Sequence, residues 1–359
     1  MSIAELKKDQ MTAKERIKAF AEGKPYDRIP CNLFIGDHAA RLIGAKVSEL
    51  HLSVEKAVEA QIVAHKVYET EGAAVGPGLG GIAEAIGSKL EFPHNGAPFV
   101  SEYAVKEYED LDRLSIPNPV TGGRFSIILQ AAEKLVEELG SKIPISVGVP
   151  GPFSTAGNLR GAENFMRDLY KNPEFAHRLL RLATDTTIAF VREAAKLDVN
   201  INIAEPSASG SLISRKQFKE FAFPYLKELV DEIKALGKPA PSLHICGNSK
   251  NIWDYMADTG AGLLSIDDQV DLEEAKHTVG DRVVLVGNVR PTETMYLGKP
   301  KDVEENVKEC LRKAYDNPKG YILALGCGLP IPTPPENIHV LRDSARKFGQ
   351  YPLNPENFN

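Results

Sequence analysis

Residues 214 to 247 read SRKQFKEFAFPYLKELVDEIKALGKPAPSLHICG, a helix and a strand in succession. Phe218, Phe221, Ala222, Tyr225, Leu226, Leu229, Val230 and Ile233 recur at three- and four-residue spacing. That spacing lays one apolar stripe along a helix. Ser214 with Gln217 forms a capping box at its start, and Gly237 is a stop. After the turn, Ser242–Cys246 is a short strand that runs into Gly247-Asn248. Residues two apart on a strand share a face, so His244 and Cys246 point the same way.

The pattern recurs on both sides. Strands are expected at about Ile29–Ile35, Ala73–Gly76, Ile145–Val149, Val199–Ala204, Ser242–Cys246, Gly262–Ile266, Val283–Gly287 and Tyr321–Gly326. Helical patterns separate most of them, and the last helix opens at Thr333-Pro334-Pro335-Glu336, with proline at its first position. Eight strands alternating with helices point to the α/β class and a single (β/α)8 TIM-like barrel, with an open doubly wound sheet as the alternative. An N-terminal helical segment, residues 1–28, precedes the barrel, and Thr12 with Glu15 caps a charged helix in it. The Gly- and Pro-rich stretch Gly76–Asn118 reads as a loop insertion over one end. One domain over residues 1–359 fits better than two.

The 359 residues are 43% hydrophobic and 26% charged, a balance that fits a folded enzyme-sized chain and argues against disorder. A net charge of -6 leaves no excess of positive charge for a phosphate backbone, so nucleic acid is not an expected partner. No run approaches the roughly 18 apolar residues that cross a bilayer. Met1–Glu22 lacks the pattern of a secretory signal. A cytoplasmic location with no membrane partner is expected. The 4 cysteines are too few for a disulfide framework in a chain this long.

In a β/α barrel the active site lies at the carboxyl ends of the strands. The fifth strand ends in His244-Ile245-Cys246-Gly247 and the eighth in Gly326-Cys327-Gly328, so both open toward one mouth. One imidazole and two thiolates suit zinc, and three protein ligands leave a position for chemistry. The competing reading is core packing, and the glycines beside Cys246 and Cys327 favour a site because they permit close approach. Cys310 lies on the apolar stripe Val303, Val307, Cys310, Leu311 and Ala314 and reads as packing, as does Cys31. Glu205 after the fourth strand, Asp267 and Asp268 after the sixth and Asn288 after the seventh are candidates for a fourth ligand or a partner of His244, or else helix caps. Of the other histidines, His38 beside Asp37 stands out most.

These residues form an assembly that resembles the uroporphyrinogen decarboxylase superfamily. It comprises Thr12–Pro30, Pro150-Gly151-Pro152-Phe153, Glu205-Pro206-Ser207-Ala208-Ser209, His244-Ile245-Cys246-Gly247-Asn248, Gly287-Asn288-Val289 and Gly326-Cys327-Gly328-Leu329-Pro330, and it extends through Asn337. Within it, His244, Cys246 and Cys327 are similar to the H-x-C…C zinc motif of the corrinoid-dependent methyltransferase branch. The resemblance implies a β/α barrel that moves a methyl group between cobalamin on a separate corrinoid protein and a small donor or acceptor: a thiol, tetrahydrofolate or a methoxy compound. It implies zinc on His244, Cys246 and Cys327, with Glu205 beside them in catalysis, although that branch often has aspartate at the Glu205 position. For the corrinoid it suggests the glycine-rich rim loops with Gly76 and Gly78, the turn at Pro150, and Asn288. Porphyrin decarboxylation is the alternative within the superfamily. Against it, the arginine-rich segment near the first strand is replaced by Cys31–His38, and no acid follows the second strand in Val75-Gly76-Pro77-Gly78-Leu79.

Overall fold

The computed structural model describes residues 8–358. Residues 1–7, where the expected N-terminal segment begins, lie outside the described residues.

Eight parallel strands form one sheet: β1 (Cys31–Asn32), β2 (Ala73–Val75), β3 (Ile145–Pro150), β4 (Asn200–Ala204), β5 (Ser242–Ile245), β6 (Leu263–Ile266), β7 (Val284–Val289) and β8 (Tyr321–Leu325). Each neighbours the next from β2 to β8, and β8 pairs with β1. That is the cyclic order of a (β/α)8 barrel, with no ladder between β1 and β2 among the described residues. All eight expected strands are present. Helices cover the outside, and no helix among the described residues is long and apolar enough to cross a membrane.

The helix read from Ser214 has both halves of its capping box. It is not uniform, because Phe218–Ala222 forms a wide π turn before the α-helix Phe223–Ala235. Pro224 explains this: its ring nitrogen has no hydrogen to give the preceding turn, so the ladder slips by one residue there. The last helix spans Pro335–Phe348 with Pro334 as its cap residue, and the Thr333 hydroxyl donates to Pro330 O at 2.7 Å instead.

The Gly76–Asn118 insertion is more ordered than expected. It holds the helix Gly81–Ile86 and an antiparallel ribbon of Lys89–Glu91 with Phe99–Glu102. Lys89 and Lys106 both pair with Glu102 on this ribbon, at 2.5 and 2.6 Å.

Residues in register on parallel strands face the same side of a sheet. One inner row therefore runs Ala204, His244, Ser265 and Val286, with Ile322 beyond it on β8. Bulky residues fill the β6–β8 side of the interior, where Val286, Ile322 and Ala324 pack with Leu263, Val284, Phe20 and Phe34. The other faces of the strands meet the helices in the main core, which takes in Cys31 and Cys310.

Candidate metal centre at the mouth of the barrel

His244, Cys246, Asp267 and Cys327 converge at the carboxyl ends of β5, β6 and β8, and their ligand atoms all lie within 4.8 Å of one another. His244 Nε2 is 3.2 Å from Cys246 Sγ, and the Cys246 and Cys327 sulfurs are 3.8 Å apart. Tetrahedral zinc with thiolate bonds of about 2.3 Å sets its sulfurs about 3.8 Å apart. The donor set is therefore of the type and size that fits zinc.

Each member is held by local structure. His244 Nδ1 lies 3.0 Å from Ser265 Oγ and 3.3 Å from Ser265 O. A carbonyl only accepts, so Nδ1 carries the proton and Nε2 turns its lone pair to the thiols. Ser209 Oγ donates to Cys246 O at 2.6 Å, and Asn248 N donates to Ser211 Oγ at 3.0 Å. These two serines pin the Cys246-Gly247-Asn248 turn, in which Gly247 has φ +71. On β8, a side chain at Gly326 would come within 2.5 Å of Asp268 N, so only glycine lets Cys327 approach the Asp267 turn. Asp267 is 3% exposed, and its Oδ1 accepts from Gln269 N at 2.9 Å.

The two thiols behave as a pair. Hydrogen bonds from Cys246 and His244 hold the Cys327 thiol below its ordinary value, and the Cys327 sulfur together with burial pushes Cys246 up. Such a pair gives up one proton readily and shares the other. The remaining cysteines are different. Burial lifts Cys31 to about 12 and Cys310 to about 11.

Glu205, expected beside the zinc ligands, has another job. Its carboxylate is fully buried and accepts from Phe153 N at 2.9 Å, from Ser154 N at 2.6 Å and from the Ser154 hydroxyl. It thus caps the helix Pro152–Arg160, where the helix dipole favours an anion. Burial nevertheless raises its pKa to about 7 against these hydrogen bonds. A side chain at Gly151 would lie 2.1 Å from Glu205 Oε2, so the turn after β3 is built around this carboxylate. Glu205 N donates to His244 O at 2.8 Å, which ties the brace to β5. The fourth group is Asp267 instead. Adjacency of the fifth and sixth strands was the available signal, because Cys246 and Asp267 are the residues that directly follow the paired ends Ile245 and Ile266.

The residues expected near the corrinoid are placed as follows. Asn288 Nδ2 donates to Asp267 O at 3.1 Å and to Val270 O at 2.9 Å, so it braces the loop that carries Asp267. Gly76 serves strand packing, since a Cβ there would fall 2.2 Å from Gly148 O. Gly78 is exposed, with φ +69 and open space where a side chain would stand. Pro150 is buried and in register with Ala204. His38 is buried, with Nδ1 2.8 Å from Ile331 O and Nε2 2.9 Å from the Tyr68 hydroxyl. It supports the segment after Cys327 from outside the ligand group.

Comparison with known proteins covers nearly the whole chain. A methylcobamide:CoM methyltransferase of Methanosarcina mazei is 31% identical over 344 residues, covering 94% of this chain and 99% of the relative. A uroporphyrinogen decarboxylase of Myxococcus xanthus is 29% identical over 273 residues, covering 74% of this chain and 75% of its own. A solved structure of a methyltransferase from Methanosarcina mazei superposes with a TM-score of 0.86 at 27% identity, over 94% of this chain and 99% of that one. The sequence description of uroporphyrinogen decarboxylase (URO-D) matches residues 12–348, and the chain belongs to that family.

Proposed function

We propose that this protein is a zinc-dependent methyltransferase that moves a methyl group from a corrinoid, presented by a partner corrinoid protein, to a small thiol. The observation that carries this reading is the convergence of His244, Cys246 and Cys327 with Asp267. Relatives whose names specify a methylcobamide donor and a CoM acceptor support the thiol direction over a methoxy compound or tetrahydrofolate.

Zinc held by His244, Cys246 and Cys327 would supply the positive charge that keeps an acceptor thiol ionised at neutral pH. Ser265 fixes the imidazole tautomer. Asp267 would be the fourth donor, and without it the one-imidazole, two-thiolate set stays intact. The ionised acceptor would displace the methyl group from the corrinoid: an S–C bond forms, the corrinoid keeps the electron pair of its broken bond to carbon, and the thiol proton goes to solvent. Glu205 and Asn288 act as braces that hold the β3–β4 ends and the Asp267 loop. Gly78 with exposed Leu79, and Leu212 after β4, offer an apolar rim for a flat macrocycle.

The test combines metal analysis with the absorbance of methylcobalamin. Wild type should hold about one zinc and convert methylcobalamin to cob(I)alamin when thiol is added. Cys246→Ser and Cys327→Ser should each lose the metal and slow turnover by about 100-fold or more. Full zinc in both variants would sink the ligand assignment. Decarboxylation of uroporphyrinogen that survives chelation would instead favour the porphyrin reading.

A further inference from the structure

The inner wall of the barrel is uneven. On the β6–β8 side, the row of His244 runs into the apolar cluster around Val286 and Ile322. The β3–β5 side presents Ser242 and Asn202 one inward step below that row and Asn200 and Ser146 two steps below it, all facing inward by register and only half-buried. None of these four side chains has a hydrogen-bond partner among the described residues. Asn202 is in register with Ser242, and Ser242 lies two residues below His244 on β5. Two residues along a strand are roughly 7 Å. The inward positions of β3, β4 and β5 hold no Lys, Arg, Asp or Glu.

We infer that the acceptor's tail descends from the metal centre along β3–β5 and is recognised by Asn202, Asn200, Ser146 and Ser242, so that the preferred acceptor is an uncharged, hydrogen-bonding thiol. This rests on the methyl-transfer reading for the word acceptor, though not for the pocket. Two amides and two hydroxyls without partners are satisfied by water until a ligand enters. An alkyl tail that displaces this water leaves them unpaired, which weakens its binding. An anionic tail meets no countercharge on this wall, whereas an amide or hydroxyl tail meets matching donors and acceptors.

Zinc-loaded wild type and Asn202→Ala are titrated calorimetrically, without corrinoid, with N-acetylcysteamine, 1-butanethiol and 2-mercaptoethanesulfonate. The substitution removes no internal hydrogen bond, so an unchanged Tm is expected. The amide thiol should bind wild type about tenfold or more tighter than the other two, and Asn202→Ala should close that gap to within about threefold. Equal or tighter binding of the sulfonate overturns the inference, and so does a variant that weakens all three alike. The same thiols are then run with methylcobalamin. Discrimination in binding without any turnover sinks methyl transfer and leaves the pocket standing. Turnover without discrimination sinks the pocket alone.

Discussion

The two ends of the barrel are both dense in ionisable groups, and they use them in opposite ways. At the amino-terminal end, unlike charges are matched. Arg28 pairs with Asp9 at 2.7 Å and Glu71 at 2.5 Å, and Arg16 pairs with Asp27 at 2.6 Å and with the other Glu71 oxygen at 3.2 Å. At the mouth, metal-ligating donors are gathered: two thiols, the Asp267 carboxylate and the His244 imidazole. The first arrangement pairs its charges within the chain and fastens the segment before β1 to the foot of β2. The second is balanced only by something from outside, which is the signature of a binding centre rather than a brace.

The most damaging way to probe this contrast at the matched end is Arg28→Ala. Arg28 is 3% exposed, and its loss leaves Glu71 with Arg16 alone and Asp9 with Arg346 and the more distant Arg16. The expected cost is about 3 kcal/mol of stability, for the charged hydrogen bonds lost, read by denaturant unfolding with zinc content unchanged. A variant that lost zinc while keeping its stability would break the division between the ends. The paired carboxylates also set a direction in pH. Burial works to raise Asp9, but hydrogen bonds from Arg28 and Arg346 hold it well below the usual range. Its stabilisation is complete at neutral pH and is lost as pH falls through that low value.

Glu205 at the mouth runs the other way. Its pKa is raised from 4.5 to about 7, so the folded state holds a proton that the unfolded chain has released. Its contribution is present below pH 4.5 and is lost as pH rises through about 7, which amounts to about 3 kcal/mol by pH 8. Glu205→Gln stays neutral, keeps an oxygen for the helix amides and should flatten this part of the stability profile. Unfolding curves at several pH values between 5 and 8 decide it. Parallel profiles for variant and wild type would mean that the helix terminus keeps Glu205 ionised throughout.

How much of this was legible in the sequence follows from which contacts are local. The eight strands were readable because parallel strands buried under helices are short apolar runs. The ribbon at Lys89–Glu91 was not, since its residues are exposed and lie in a stretch dominated by Gly and Pro. His244 and Cys246 announced themselves by a spacing of two on one strand. Asp267 and Glu205 could not be told apart, because each is an acid just past a strand end. Their fates depend on neighbours: Ile245 against Ile266 sets Asp267 beside the thiols, and the glycine at position 151 opens room for Glu205 under a helix. Cys310 was separable from Cys327 because one lay on a helical stripe and the other between glycines.

The finest test concerns Ser265, which faces the imidazole with both a hydroxyl and a carbonyl. Partners of a metal-bound histidine are worth about 10- to 100-fold in metal affinity. Ser265→Ala removes the closer acceptor, at 3.0 Å, and leaves the carbonyl at 3.3 Å, so the loss belongs at the lower end, about tenfold. Chelator competition measures it, with Cys31→Ala, in the main core, as a control that lowers stability without touching the metal. An affinity unchanged in Ser265→Ala would assign the tautomer to the carbonyl alone. The mouth would then be held by backbone at His244 as it is at Cys246, whose carbonyl is what Ser209 grips.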